Sequence, residues 1–61
     1  MLAMPTFEIY QDVTGEWRWR FKADNDKIIA DSAEGYHHID DCRSAIYILK
    51  DNAAKATILG Y

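Results

Sequence analysis

A single cysteine, Cys42, stands among the 61 residues, so no disulfide can form within the chain. No Cys-x-x-Cys pair and no histidines at zinc-binding spacing accompany it, and no cofactor is expected. Proline occurs once and glycine three times, which excludes collagen-like, proline-rich and low-complexity architectures. No apolar run approaches the ~18 residues that a membrane-spanning helix needs. Basic excess is absent too. There are 7 Lys and Arg against 10 Asp and Glu, a net charge of −3, which argues against broad nucleic-acid binding. Residues 1–5 carry neither a basic stretch nor an apolar core of signal-peptide length, so no secretion signal is expected. A lone thiol without such a signal fits a reducing cytoplasm. Catalytic sets are missing as well: no Ser-His-Asp grouping, no carboxylate pair placed for acid–base work, and no phosphate-binding loop.

What remains is the composition of a folded domain, 49% hydrophobic and 28% charged. A domain of about 60 residues buries only ~60% of the surface its unfolded chain exposes. Its core is marginal, and without a disulfide or a metal it must pack well or associate.

The pattern along the chain is legible. Phe7-Glu8-Ile9-Tyr10 alternates apolar and polar, which predicts a strand with Phe7 and Ile9 on one face. Asp12-Val13-Thr14-Gly15 has the residues of a type I turn, closed by a glycine that tolerates positive φ. Over residues 16–23, Trp17, Trp19 and Phe21 alternate with Arg18, Arg20 and Lys22, the clearest strand in the sequence. Asp24-Asn25-Asp26-Lys27 is a cluster of turn formers, and Ile28-Ile29-Ala30-Asp31-Ser32 reads as a third strand. Three strands joined by short turns make an antiparallel meander. Residues 33–38 connect, with Gly35 free to take a backbone conformation that other residues avoid.

From Ile39 the period changes. Cys42, Ala45, Ile46, Leu49 and Ala53 recur at spacings of three and four, one face of a helix. His38 or its neighbour would cap it weakly, Asp40 and Asp41 suit its first turn, and Lys50 and Lys55 suit its end. Ala56-Thr57-Ile58-Leu59-Gly60-Tyr61 is apolar and β-prone, and predicts a fourth strand. The expected fold is α+β, a β-β-β-α-β unit with one amphipathic helix on one face of an antiparallel sheet. Residues 1–5 form a short extension and residues 6–61 a single domain. The last strand must pair with its own sheet or cross to a second copy.

Phe7-Glu8-Ile9-Tyr10, then Gly15-Glu16-Trp17-Arg18-Trp19-Arg20-Phe21-Lys22-Ala23, then Ile28-Ile29-Ala30-Asp31-Ser32 and Glu34-Gly35-Tyr36 stand in this order. In these residues the chain resembles the YegP-like family (domain of unknown function 1508), over about residues 6–54. The resemblance implies a β3-αβ unit that exists in pairs, as tandem repeats or as two subunits, with the C-terminal strands exchanged into one sheet. For a chain with one unit it implies a homodimer, with Thr57, Ile58 and Leu59 at the interface. It implies no activity, because the family's molecular function is not established. The sequence departs from the family pattern where His37 and His38 replace small or hydroxyl residues ahead of the helix.

Candidate sites are few. Arg18, Arg20 and Lys22 could track phosphates, or form a solvated face paired with Glu8, Asp31 or another carboxylate; pairing is the expectation, and the ligand of the face is open. Trp17, Trp19 and Phe21 read as a core layer rather than a stacking platform. His37 and His38 point apart in an extended segment and suit a loop better than a metal site. Asp24, Asp26, Asp40 and Asp41 lack the spacing of a calcium loop. Cys42 lies near a helix start, which favours thiolate, but on the apolar face, which favours a buried thiol. The expectation is a non-enzymatic homodimeric binding or interaction module whose ligand, a small molecule or another partner, is open, with nucleic-acid binding through Arg18, Arg20 and Lys22 as the alternative and a redox or enzymatic role of Cys42 behind it.

Overall fold

The computed structural model describes residues 4–60; most of the expected N-terminal extension, residues 1–3, and Tyr61 lie outside the described residues. Three strands form one antiparallel sheet in the order β1 (Thr6–Gln11), β2 (Trp17–Lys22), β3 (Ile28–Asp31). Helix α1 spans Ile39–Asn52 and runs into a 3-10 turn at Ala53–Lys55. This is the expected α+β meander and helix.

The two hairpin turns are built alike. In the first, the Gly15 N–H donates to the Asp12 carbonyl at 3.0 Å and Gly15 takes φ 85°. In the second, the Asp26 N–H donates to the Ala23 carbonyl at 3.0 Å and Asp26 takes φ 68°. Each is a type I turn followed by a left-handed residue, the geometry that lets a short loop match the twist of its strands. Asp26 holds that conformation without glycine's freedom, one of the few non-glycine residues that tolerate it.

Register then sorts the side chains. Phe7 faces Phe21, Ile9 faces Trp19, and Gln11 faces Trp17, while Thr6, Glu8 and Tyr10 face Lys22, Arg20 and Arg18. Because side chains alternate, the aromatics and the cations occupy opposite faces. Helix α1 covers the aromatic face through Cys42 and Ile46, which close on Trp19 at the centre of the core. Phe7 stands edge-on to Trp19, ring centroids 5.7 Å apart, a favoured aromatic arrangement.

Four expectations need correction. Strand β3 stops at Asp31, one residue short. Ser32 still belongs to the sheet in another way: its N–H donates to the Trp19 carbonyl at 2.8 Å, and its hydroxyl accepts the Trp19 N–H at 3.2 Å. The hydroxyl replaces the backbone acceptor that a continuing strand would offer. The chain then loops out and returns at Tyr36, whose N–H and carbonyl both pair with Trp17. Second, Gly35 has no positive φ. It is glycine for space, since a Cβ there would sit 2.7 Å from the Glu16 Cβ. Third, the apolar helix face is buried only in its first half. Leu49 and Ala53 are exposed and line an open groove with Trp19 and Ala30 of the sheet. Fourth, residues 56–60 form no strand in this chain. The backbone is extended at Ala56, with φ −68° and ψ 138°, but no edge of its own sheet pairs with it. Ile58 and Leu59 are 84% and 87% exposed.

Candidate functional site

The open face of the sheet carries all three candidate cations, and each has a carboxylate partner. Arg18 Nε lies 2.7 Å from Asp12 Oδ2, and Arg20 Nε lies 2.8 Å from Glu8 Oε1. Lys22 Nζ lies 3.4 Å from both Glu8 Oε2 and Asp26 Oδ1. The Arg20 guanidinium also stacks 4.7 Å from the Tyr10 ring centroid. Asp31 faces Arg20 in register without an ion pair to it. The face is therefore close to electrically neutral, and a nucleic-acid backbone would have to take each cation from its carboxylate before gaining a phosphate contact.

Asp12 organises this end of the sheet. Its Oδ1 accepts from the Thr14 N–H at 2.9 Å, the Thr14 hydroxyl at 2.7 Å and the Glu16 N–H at 3.0 Å, while Oδ2 takes Arg18. The Arg18 hydrogen bond, then the Thr14 hydroxyl, hold its carboxyl well below the usual carboxylate range. Arg20 is the main cause of a lowered pKa at Glu8. A depressed folded-state pKa stabilises the fold above the ordinary carboxylate pKa of about 3.9, and that contribution is lost as pH falls through the folded value. The melting temperature is therefore expected to drop between pH 5 and pH 2, and Asp12→Ala to flatten that drop while lowering stability at pH 7. Thermal melts of both proteins across that range check it; parallel curves would refute the role given to Asp12.

The other candidates separate. Trp17 and Phe21 pack against the Trp19 core, on the helix side rather than as a platform in solvent. His38 precedes α1 in an extended conformation and makes no side-chain cap bond. His37 is exposed, its Nδ1 4.0 Å from Glu16 Oε2, too far for a hydrogen bond. Asp40 and Asp41 stand in the first helical turn. Among the described residues no three His, Cys, Asp or Glu side chains cluster to hold a metal ion. No helix among them is long and apolar enough to cross a membrane.

Cys42 is fully buried, and burial pushes its thiol pKa up. Desolvation outweighs the pull of the helix N-terminus. Cys42 is expected to resist a thiol reagent in the folded protein and to react within minutes in denaturant; rapid labelling under native conditions would overturn this.

Two grooves flank α1, and the sequence pattern gave no sign of either. One, about 400 Å³, lies toward β3 between Trp19, Ala30, Leu49 and Ala53. The other, about 480 Å³, lies toward β1 between Phe7, Ile46, Arg43 and Lys50. They exist because one helix is narrower than the sheet it covers.

The geometry can be set beside known proteins. Residues 12–59 match the model of a domain of unknown function, DUF1508. A UPF0339 protein of Neisseria meningitidis serogroup B is 46% identical over 52 residues, 85% of this chain and 91% of that protein. A UPF0339 protein of Stutzerimonas stutzeri is 46% identical over 48 residues, 79% of this chain but only 42% of that protein, so it is more than twice as long as the match. A protein from Haloferax volcanii solved by NMR in solution superposes with a TM-score of 0.85 at 34% identity, over 97% of this chain and 98% of that one. With β2, β3, both turns and the Ser32-to-Tyr36 return inside residues 12–59, the chain belongs to the YegP-like DUF1508 family, whose function is unknown.

Proposed function

We propose that this chain is one half of a non-enzymatic, homodimeric interaction module of the cytoplasm, in which Thr57, Ile58 and Leu59 of each copy extend the other copy's sheet. The observation that carries the reading is the exposure of Ile58 and Leu59 on a segment that leaves the helix extended at Ala56 and pairs with no strand among the described residues. Two neighbouring branched apolar side chains in solvent, on β-prone backbone, are what a donated strand presents before it pairs. The groove between Leu49, Ala53 and Ala30 offers apolar surface of the matching kind. A relative more than twice the length of the match is what fusion of two such halves would give. A non-enzymatic role is favoured because Cys42 is sealed in the core and each sheet cation is held by a carboxylate. The lone reduced thiol fits the compartment.

Sedimentation equilibrium at micromolar protein tests the assembly. A species of twice 7.1 kDa is expected; a stable, fully folded monomer would end the reading.

A further inference from the structure

We infer that the groove on the β1 side of α1 is a binding site for a small amphipathic carboxylate, an apolar chain or ring carrying one anionic head. Its floor is apolar, made by Phe7 and Ile9 from β1 and by Ile46 from α1. Its rim is cationic. Arg43 and Lys50 both line it, seven residues apart on the helix. Seven residues are nearly two helical turns, so the two cations stand about 10 Å apart along the same side of α1. Between them Tyr47 presents its ring, with Lys50 Nζ 5.9 Å from the centroid.

Three features favour this groove as a site. Its volume, about 480 Å³, falls within the range of small-molecule sites. No carboxylate lines it. Among the described residues neither Arg43 nor Lys50 has an ion-pair partner, whereas Arg18, Arg20 and Lys22 all do. In a chain with more acidic than basic residues, two unpaired cations beside an apolar floor are a charge complement left open. The matching ligand buries its hydrocarbon over Phe7 and Ile9 and gives its carboxylate to Arg43, whose planar guanidinium suits bidentate contact, or to Lys50. The site shares Phe7, Phe21 and Lys50 with the Leu49 and Ala53 groove and is told apart from it by Ile9, Arg43, Ile46 and Tyr47.

The probe is decanoate, titrated below its micellar concentration into isotope-labelled protein in its native oligomeric state and followed by amide NMR shifts. Saturable shifts at Phe7, Ile9, Ile46 and Tyr47 are expected. Decanol, of the same chain length without the charge, should bind about tenfold more weakly, as should decanoate to the exposed double variant Arg43→Gln with Lys50→Gln. The dispersion of the variant's spectrum verifies that it folds. Equal affinity for decanol and decanoate, equal affinity of wild type and variant, shifts centred elsewhere, or no saturation would each overturn the site. So would amides at Phe7 and Tyr47 that shift on dilution but not with decanoate, because a second copy would then fill the groove.

Discussion

Replacing Trp19 with alanine is expected to abolish the cooperative unfolding transition of this protein at 25 °C. Trp19 is 8% exposed at the centre of the sheet, opposite Ile9, beneath Cys42 and Ile46, and edge-on to Phe7. Truncating a buried tryptophan costs ~3–5 kcal/mol, through lost transfer energy and through the cavity left behind. At about 0.05–0.15 kcal/mol per residue, a chain of 61 residues has roughly 3–9 kcal/mol in all. The loss is comparable with the whole stability because the core has few members. Among the described residues only Trp19, Cys42 and Ile46 are buried hydrophobics, with partly buried neighbours around them. Trp19→Phe keeps an aromatic ring and should cost less. Far-UV circular dichroism through a urea titration distinguishes the outcomes. A Trp19→Ala variant with a sharp transition near that of wild type would show that the core lies elsewhere.

The same residues show how far sequence carries. The alternation of Trp17, Trp19 and Phe21 with Arg18, Arg20 and Lys22 is a local signal, and the sheet obeys it in every register pair of β1 and β2. The turn at Asp12 to Gly15 is also local, because the residue types at its four positions determine its geometry. What escaped the sequence depends on neighbours distant along the chain. Gly35 reads as a flexible residue until Glu16 is found pressed against it. Ser32 reads as the end of a strand until its hydroxyl is found standing in for a carbonyl opposite Trp19. The apolar period of α1 runs on to Leu49 and Ala53, but a period reports what a face is suited to bury and not whether this chain alone buries it. For the same reason the basic row was legible as a row. Its pairing with Glu8, Asp12 and Asp26 was legible only in part, since two of those carboxylates come from turns whose reach depends on the folded backbone.

Changing both Ile58 and Leu59 to aspartate is expected to convert a dimer into a monomer while leaving the β1–β2–β3 sheet and α1 intact. Fully burying a leucine or isoleucine side chain contributes ~1.5–3 kcal/mol. A reciprocal exchange buries four such side chains, so the variant forfeits on the order of 6–12 kcal/mol of association energy, an upper estimate because the free segment is not fully extended in water. With tenfold in affinity for every ~1.4 kcal/mol, even half of that raises the dissociation constant at least a hundredfold. Four carboxylates introduced at the apolar interface add their own desolvation cost. The contrast with Trp19→Ala is the useful part. Both variants lose stability, but Ile58 and Leu59 touch none of the core formed by Trp19, Cys42 and Ile46. The double variant should therefore keep helical circular dichroism at low temperature, sediment near 7.1 kDa, and melt at a temperature that no longer rises with protein concentration. The pair Ile58→Val and Leu59→Val, apolar and β-prone, should stay dimeric. If the aspartate variant sediments as wild type does, strand exchange through these residues is wrong, and the exposed Leu49 face becomes the place to look for what holds two copies together.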